Sequence, residues 1–263
     1  MKDLLYKRYW VDGLSLKSIG NELGLSASGV AKKMEKFGIC RRVNDKYKYD
    51  YLRQTSLTDE QLSVVVGTVL GDGFLSRYYN KGTSLRIKHC KKQLPYLKFK
   101  GDLLSDIFPS DIREEATIRF GKELFSCELV SIVHPDLSEL HNIFYPAHKK
   151  IIPVNIFDLL DELSLSILFM DDGTYCESGT VRVLRISTEG FSFDDSILLR
   201  DAIYNKFNVK FNIHKHEKSF VLQVGNKEMI DRFFNIVYPI VGHLFYCKGK
   251  ILRDYTPSPT ICG

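Results

Sequence analysis

The sequence predicts an α+β chain built on a duplication. Helix–strand–strand–helix–strand–strand–helix occurs twice about a pseudo-twofold axis, preceded by a small all-α helix-turn-helix unit. Three observations predict it. The runs Val65–Gly73 and Leu165–Gly173 are the same phrase, an apolar helix ending in Asp-Gly. Their acids, Asp72 and Asp172, stand 100 residues apart, about one domain length, so the copies read as an internal duplication. Residues 1 to about 40, by contrast, read as short helices about a glycine.

The first unit is expected over residues 1–42. Leu16 to Leu25 reads as a helix ended by Gly24, and Ser26 caps a second helix through Val30 and Met34 to Phe37. Gly20, Gly24 and Val30 suit two helices crossing at a tight turn. This pattern resembles the helix-turn-helix of resolvases and sigma-like DNA binders, which would present Ser28, Lys32 and Lys33 to a groove with Lys36 near a phosphate; a plain helical hairpin is the alternative. Residues 43–56, with Lys46, Lys48 and Arg53 among Tyr47, Tyr49 and Tyr51, read as a linker.

The first repeat is expected over 57–155 and the second over 156–263. Thr58 and its acidic followers cap the first motif helix. Strands follow at 74–79 and 84–90 around Asn80-Lys81-Gly82, then a helix at 94–107, strands at 113–120 and 124–133 around Gly121-Lys122, and a helix at 136–144 before Pro146. The second half replays this order: helix 163–171, strands 174–176 and 181–187, helix 193–207, strands 209–214 and 219–224, helix 227–237. Four antiparallel strands with helices on one face leave the other face open.

Composition is that of an average globular chain, with 44% hydrophobic and 26% charged residues, and the net charge of +5 favours a polyanionic partner. The six cysteines are scattered singly, which argues for reduced thiols and against a zinc ribbon or a disulfide framework. The most apolar run, Val64 to Leu70, is too short to cross a bilayer, so a cytoplasmic protein with no membrane partner is expected. His134, His141 and His148 recur every seven residues, but Pro135 and Pro146 interrupt the helix that would align them on a metal.

Two motif helices, each followed by this hairpin order, resemble a single-chain LAGLIDADG homing endonuclease over about residues 57–255. The resemblance implies motif helices packed side by side, each giving its penultimate acid to one strand of a DNA duplex. Gly67 and Gly71 share a helix face and permit close approach. Paired carboxylates need a cation between them, which suits Mg2+ or Mn2+ at Asp72 and Asp172, with the preceding Gly71 and Asp171 in the metal set. The family places a lysine at the end of each repeat in the active site; this role falls to Lys150 and Lys248, 78 and 76 residues after the acids, with Lys149 and Lys250 as competitors.

The sheets then form the platform for a long, weakly symmetric double-stranded DNA target. Arg86 and Lys88 face outward from one strand and Arg185 and Ser187 from its equivalent, joined by Ser76, Tyr78, Arg119, Lys215 and Lys218. His89 or Cys90 in one repeat and Glu189 in the other are candidates for the water network. Ile167 and Asp171 stand where the first copy has Gly67 and Gly71, so the packing should be asymmetric. The expected activity is metal-dependent, site-specific cleavage of DNA by a monomer, from a free-standing or intron-encoded gene. A regulator that has lost catalysis and a maturase acting on intron RNA are the alternatives.

Overall fold

The computed structural model describes residues 1–12, 14–39, 52–78, 82–108, 112–119, 122–217 and 219–249. The chain divides into two compact units, Met1–Gln54 and Thr55–Gly263. Most of the basic linker, the first hairpin turn at Asn80-Lys81, and Lys218 and Lys250 lie outside the described residues.

In the first unit, α1 (Lys2–Tyr6) precedes α2 (Leu16–Leu23) and α3 (Ala27–Lys36). Gly24 ends α2 in the left-handed region at φ 65°, and the Ser26 hydroxyl accepts from the Gly29 N–H to start α3. A Cβ on Gly20 would lie 2.4 Å from the Leu25 carbonyl oxygen, so only glycine lets the turn fold back onto α2. Leu5, Tyr9, Ile19, Val30, Met34 and Ile39 form the core. The helix α1 carries no periodicity long enough to be read from sequence, yet Leu5 in its last turn is fully buried.

The second unit holds the duplication. The first repeat runs α4 (Asp59–Leu70), β1 (Phe74–Tyr78), β2 (Gly82–Cys90), α5 (Leu94–Leu103), β3 (Arg113–Arg119), β4 (Lys122–Val130) and α6 (Pro135–Phe144). After the short α7 (Ile156–Leu159), the second runs α8 (Glu162–Asp172), β5 (Gly173–Ser178), β6 (Val181–Ser187), α9 (Phe193–Phe207), β7 (Asn212–His216), β8 (Ser219–Val224) and α10 (Lys227–Val241). The sheets are antiparallel, in the orders β1-β2-β4-β3 and β5-β6-β8-β7. Thr58 caps α4 in a reciprocal box with Gln61, and Asp161 caps α8 with Ser164. The Ser63 hydroxyl of α4 donates to the Asp161 carboxylate, which ties the two motif helices at their starts.

Several expected boundaries move, among them the strand expected at 124–133, which runs Lys122–Val130. The helix starting at Leu94 ends at Leu103, short of Ile107. Val209 and Phe211 are buried ahead of β7 and do not belong to it, because the strand begins at Asn212. The last helix runs through Pro239 to Val241. One missing N–H and the ring clash cost about 3 kcal/mol, whereas burying Phe233, Phe234, Val237 and Val241 returns about 1.5–3 kcal/mol each.

The two motif helices interlock by complementary asymmetry. A Cβ on Gly67 would meet the Ser164 carbonyl oxygen at 2.5 Å and the Ile167 Cβ at 2.8 Å, and one on Gly71 would meet the Asp171 Cβ at 2.4 Å. Each glycine of α4 thus receives the bulky residue that replaces its equivalent on α8. The asymmetry read from Ile167 and Asp171 is what allows close contact.

Candidate active site

Both motif helices deliver their acids to the centre of the duplicated unit. Helix α4 ends two residues earlier than α8, with Gly71 as its cap, so Asp72 stands in the turn beyond it while Asp172 is the last residue of α8. Each acid lines its own cavity. That of Asp72, about 560 Å³, includes His89, Cys90, Asp171 and Lys248; that of Asp172, about 260 Å³, includes Gly71, Lys150, Ser187 and Glu189.

The lysines cross over. Lys248, from the end of the second repeat, donates to Asp72 Oδ2 at 2.6 Å, while Lys150, from the end of the first, lines the Asp172 cavity and donates to the Gly71 carbonyl at 3.0 Å. Nearly equal offsets in sequence mark the two lysines as equivalent without saying which acid each faces. Lys149, the competitor of Lys150, points to solvent.

Electrostatics distinguish the two acids. Burial, then the neighbouring carboxylates of Asp72 and Asp171, push the Asp172 carboxyl up to about 7. Burial likewise lowers the Lys150 ammonium, although Asp172, Asp171 and Asp72 pull the other way. His89 is pushed down to about 2, first by burial and then by Lys100 and Lys248, so its imidazole is neutral.

Asp171 has two structural tasks. Its carboxylate oxygens lie 2.8 and 3.0 Å from the Lys100 ammonium of α5, with both side chains fully out of solvent, and Oδ2 accepts the Asp72 N–H at 3.2 Å. The Tyr96 ring lies 4.6 Å from Lys100 Nζ, 5.6 Å from Lys248 Nζ and 5.3 Å from the His89 ring. Neither Lys100 nor Tyr96 is among the residues expected at the site. The signal was there: Tyr96, Lys100 and Leu104 are spaced four apart, so the helical period puts a lysine on the buried stripe. Burial lowers the Lys100 ammonium, against the pull of Asp171.

The open sheet faces carry the other expected residues. Leu85, Ile87, Leu184 and Ile186 are buried inward, while Lys88 is exposed and Arg86, Arg185 and Ser187 are half-buried on the opposite face. Arg86 donates to Glu128 at 2.6 and 3.0 Å and Lys88 to Glu115 at 2.7 Å, so carboxylates of β4 and β3 neutralise this part of the platform. Arg185 bonds the neutral Gln223 and keeps its charge unpaired by that contact. Ser76 is half-buried, and Tyr78 and Lys215 are exposed. Arg119 ends β3, and its side chain is outside the described part. In the first unit Ser28 and Lys32 are exposed and Lys33 is half-buried. The heptad-spaced histidines part company: His134 caps α6, His141 stacks on Tyr145 at 5.0 Å, and His148 lies beyond the helix.

Comparison with known proteins gives the frame. The LAGLIDADG DNA endonuclease family profile matches residues 62–233, which take in the first motif helix from Leu62, the whole of the second and both sheets. The chain belongs to the LAGLIDADG DNA endonuclease family. A probable intron-encoded endonuclease of Wickerhamomyces canadensis is 26% identical over 75% of this chain and 87% of its own length. The cytochrome b mRNA maturase bI2 of Saccharomyces cerevisiae is 28% identical over 73% of this chain and 48% of that one. The solved structure of the homing endonuclease I-WcaI bound to its DNA recognition sequence superposes with TM-score 0.72 at 22% identity, covering 85% of this chain and 99% of that one, and shows the shared fold. Among the described residues no helix is long and apolar enough to cross a membrane.

Proposed function

We propose that this chain is a site-specific, double-strand DNA endonuclease that hydrolyses one phosphodiester of each strand with divalent cations. The observation that carries the reading is the pair of acid-lined cavities, Asp72 with Lys248 and Asp172 with Lys150, set at the ends of interlocked helices. The donor set fits Mg2+ or Mn2+: burial and then the carboxylates of Asp72 and Asp171 raise Asp172 toward neutrality, and a cation among these acids would relieve their mutual repulsion. Asp72, Asp172 and the Gly71 and Asp171 positions would hold the ions, which would supply an activated water and charge neutralisation at the leaving oxygen.

The protein's own groups do the rest. Lys248 and Lys150 bring an ammonium to each cavity, where it balances phosphate charge. The lowered Lys150 also gives up a proton more readily than a free lysine, which suits proton transfer at the second strand. Ser76, Tyr78, Lys88, Arg185, Ser187, Lys215 and Lys218 are proposed to follow the duplex backbone, with Arg86 and Arg119 joining once their sheet meets phosphates. Ser28, Lys32 and Lys33 of the first unit give a further groove contact that lengthens the target.

The match to an mRNA maturase favours a second reading, in which the chain binds an intron RNA. The full chain, incubated with Mg2+ and a randomised duplex library, should cut a recurring sequence on both strands. Tight binding of an intron transcript with no duplex cut would move the assignment to the maturase reading.

A further inference from the structure

The two cavities are related by the pseudo-twofold axis, yet their donor atoms are not. The pairing of Phe74 with Arg86 and of Thr174 with Arg185 sets the equivalence of β2 and β6, so Thr188 occupies the place of His89. Gly71 likewise occupies the place of Asp171. The first cavity therefore gathers Asp72, His89 and Asp171, while the second is lined by Asp172, Gly71, Ser187 and Glu189 and offers no imidazole, the Thr188 hydroxyl being turned to the Phe220 carbonyl.

The first set has the dimensions of a ligand shell. His89 Nδ1 is 3.6 Å from Asp72 Oδ2, its Nε2 is 3.9 Å from Asp171 Oδ1, and one donor atom from each residue lies within 4.8 Å of the others. Donors about 2.1 Å from a shared ion are about 3.0 Å apart when adjacent and about 4.2 Å when opposed. Among the described residues this is the one group of three metal-ligating side chains so placed. The Nε2 of His89 is moreover buried with no hydrogen-bond partner, although its side chain is 1% exposed. A buried ring nitrogen is ordinarily satisfied, and this one faces a carboxylate.

The geometry points to a nitrogen-containing cation site in the first half alone, built by Asp72, His89 and Asp171 and selective for a transition-metal dication over Mg2+. Imidazole favours ions such as Co2+ and Zn2+, whereas an all-oxygen set serves Mg2+ equally well. The incoming ion takes the place of the Lys248 ammonium on Asp72, and Lys100 stays behind Asp171 to hold that carboxylate in position. The site rests on the proposed use of cations by this centre, and it makes the two halves unequal in the ion they prefer.

The test is calorimetric titration of the full, metal-free chain with Co2+ and separately with Mg2+, without DNA. One Co2+ should bind at least about tenfold more tightly than Mg2+, and His89→Gln should remove that preference while His214→Gln, an exposed histidine, keeps it. Pulsed electron paramagnetic resonance of the unmutated chain loaded with Mn2+ should show an imidazole nitrogen at the ion, which holds the proposal open to refutation even where His89→Gln fails to fold. Equal affinity for the two ions, a nitrogen signal that survives His89→Gln, or a cobalt–thiolate absorption from Cys90 or Cys176 would overturn it. A chain that ligates Co2+ through His89 yet cuts no duplex overturns the endonuclease reading alone, and cutting without His89 ligation overturns this site alone.

Discussion

Removing Lys100 tests whether the centre of this fold is held by a buried ion pair. Both side chains of the Lys100–Asp171 pair are 0% exposed and the ammonium touches both carboxylate oxygens. Lys100→Met leaves the Asp171 carboxylate buried with the Asp72 N–H at 3.2 Å and Lys248 at 3.8 Å as partial substitutes. Breaking a buried pair from one side costs about 3–5 kcal/mol, and these substitutes place the expected loss at about 3 kcal/mol. At roughly 2–4 °C per kcal/mol for a unit of this size, the transition of the second unit should fall by about 6–12 °C. The double variant Lys100→Met/Asp171→Asn has no charge to strand and should recover at least half of that loss. Denaturant melts of the parent, Lys100→Met, Asp171→Asn and the double variant give the coupling directly. A loss under about 1 kcal/mol for Lys100→Met, or strictly additive losses in the double variant, would refute the reasoning.

Other predictions follow from the same geometry. In metal-free buffer, Asp172 holds its proton up to about pH 7 when folded and only to about 3.8 when unfolded, so folding takes up a proton between these values. Stability should therefore fall as pH rises from about 4 to 7, by up to about 4 kcal/mol, and Asp172→Asn should flatten that slope in melts across the range. Gly71→Ala should destabilise by about 1–3 kcal/mol or more, because the new methyl meets the Asp171 side chain at 2.4 Å; a melt unchanged from the parent would contradict the interlock. Lys150→Met and Lys248→Met should each reduce cutting by about 100-fold or more with duplex affinity nearly unchanged, as read by single-turnover kinetics and gel shift. Glu128→Gln should release Arg86 and steepen the salt dependence of duplex binding, whereas Gln223→Ala should leave that slope alone.

Much of the fold was legible because its signals are local. The Asp-Gly phrase written twice, the Thr58 cap, the alternation of Leu85, Arg86, Ile87 and Lys88, and the glycine at 24 each follow from a few neighbouring residues. The site was legible in its acids and its two lysines and less so in their arrangement. Which cavity receives Lys150 or Lys248 depends on how the repeats pack, and an offset from Asp72 or Asp172 cannot carry that information. Asp171 was read as a metal residue beside its acidic neighbour. Its pairing with Lys100 spans 71 positions and shows in sequence only as a lysine on an apolar stripe. The platform looked more basic than it is because Glu128, opposite Lys88 on β4, reaches diagonally to Arg86, and Glu115, one strand further on, reaches Lys88, a register that hairpin lengths leave open.

The central claim is that Asp72 and Asp172 each serve one strand of a duplex. Its most direct test is cleavage, in Mg2+, of a duplex selected from the random library and labelled at both 5′ ends, by the parent, Asp72→Asn and Asp172→Asn. The parent should cut both strands, and each variant should bind the duplex but lose double-strand cutting. Undiminished double-strand cutting by either variant would contradict the account.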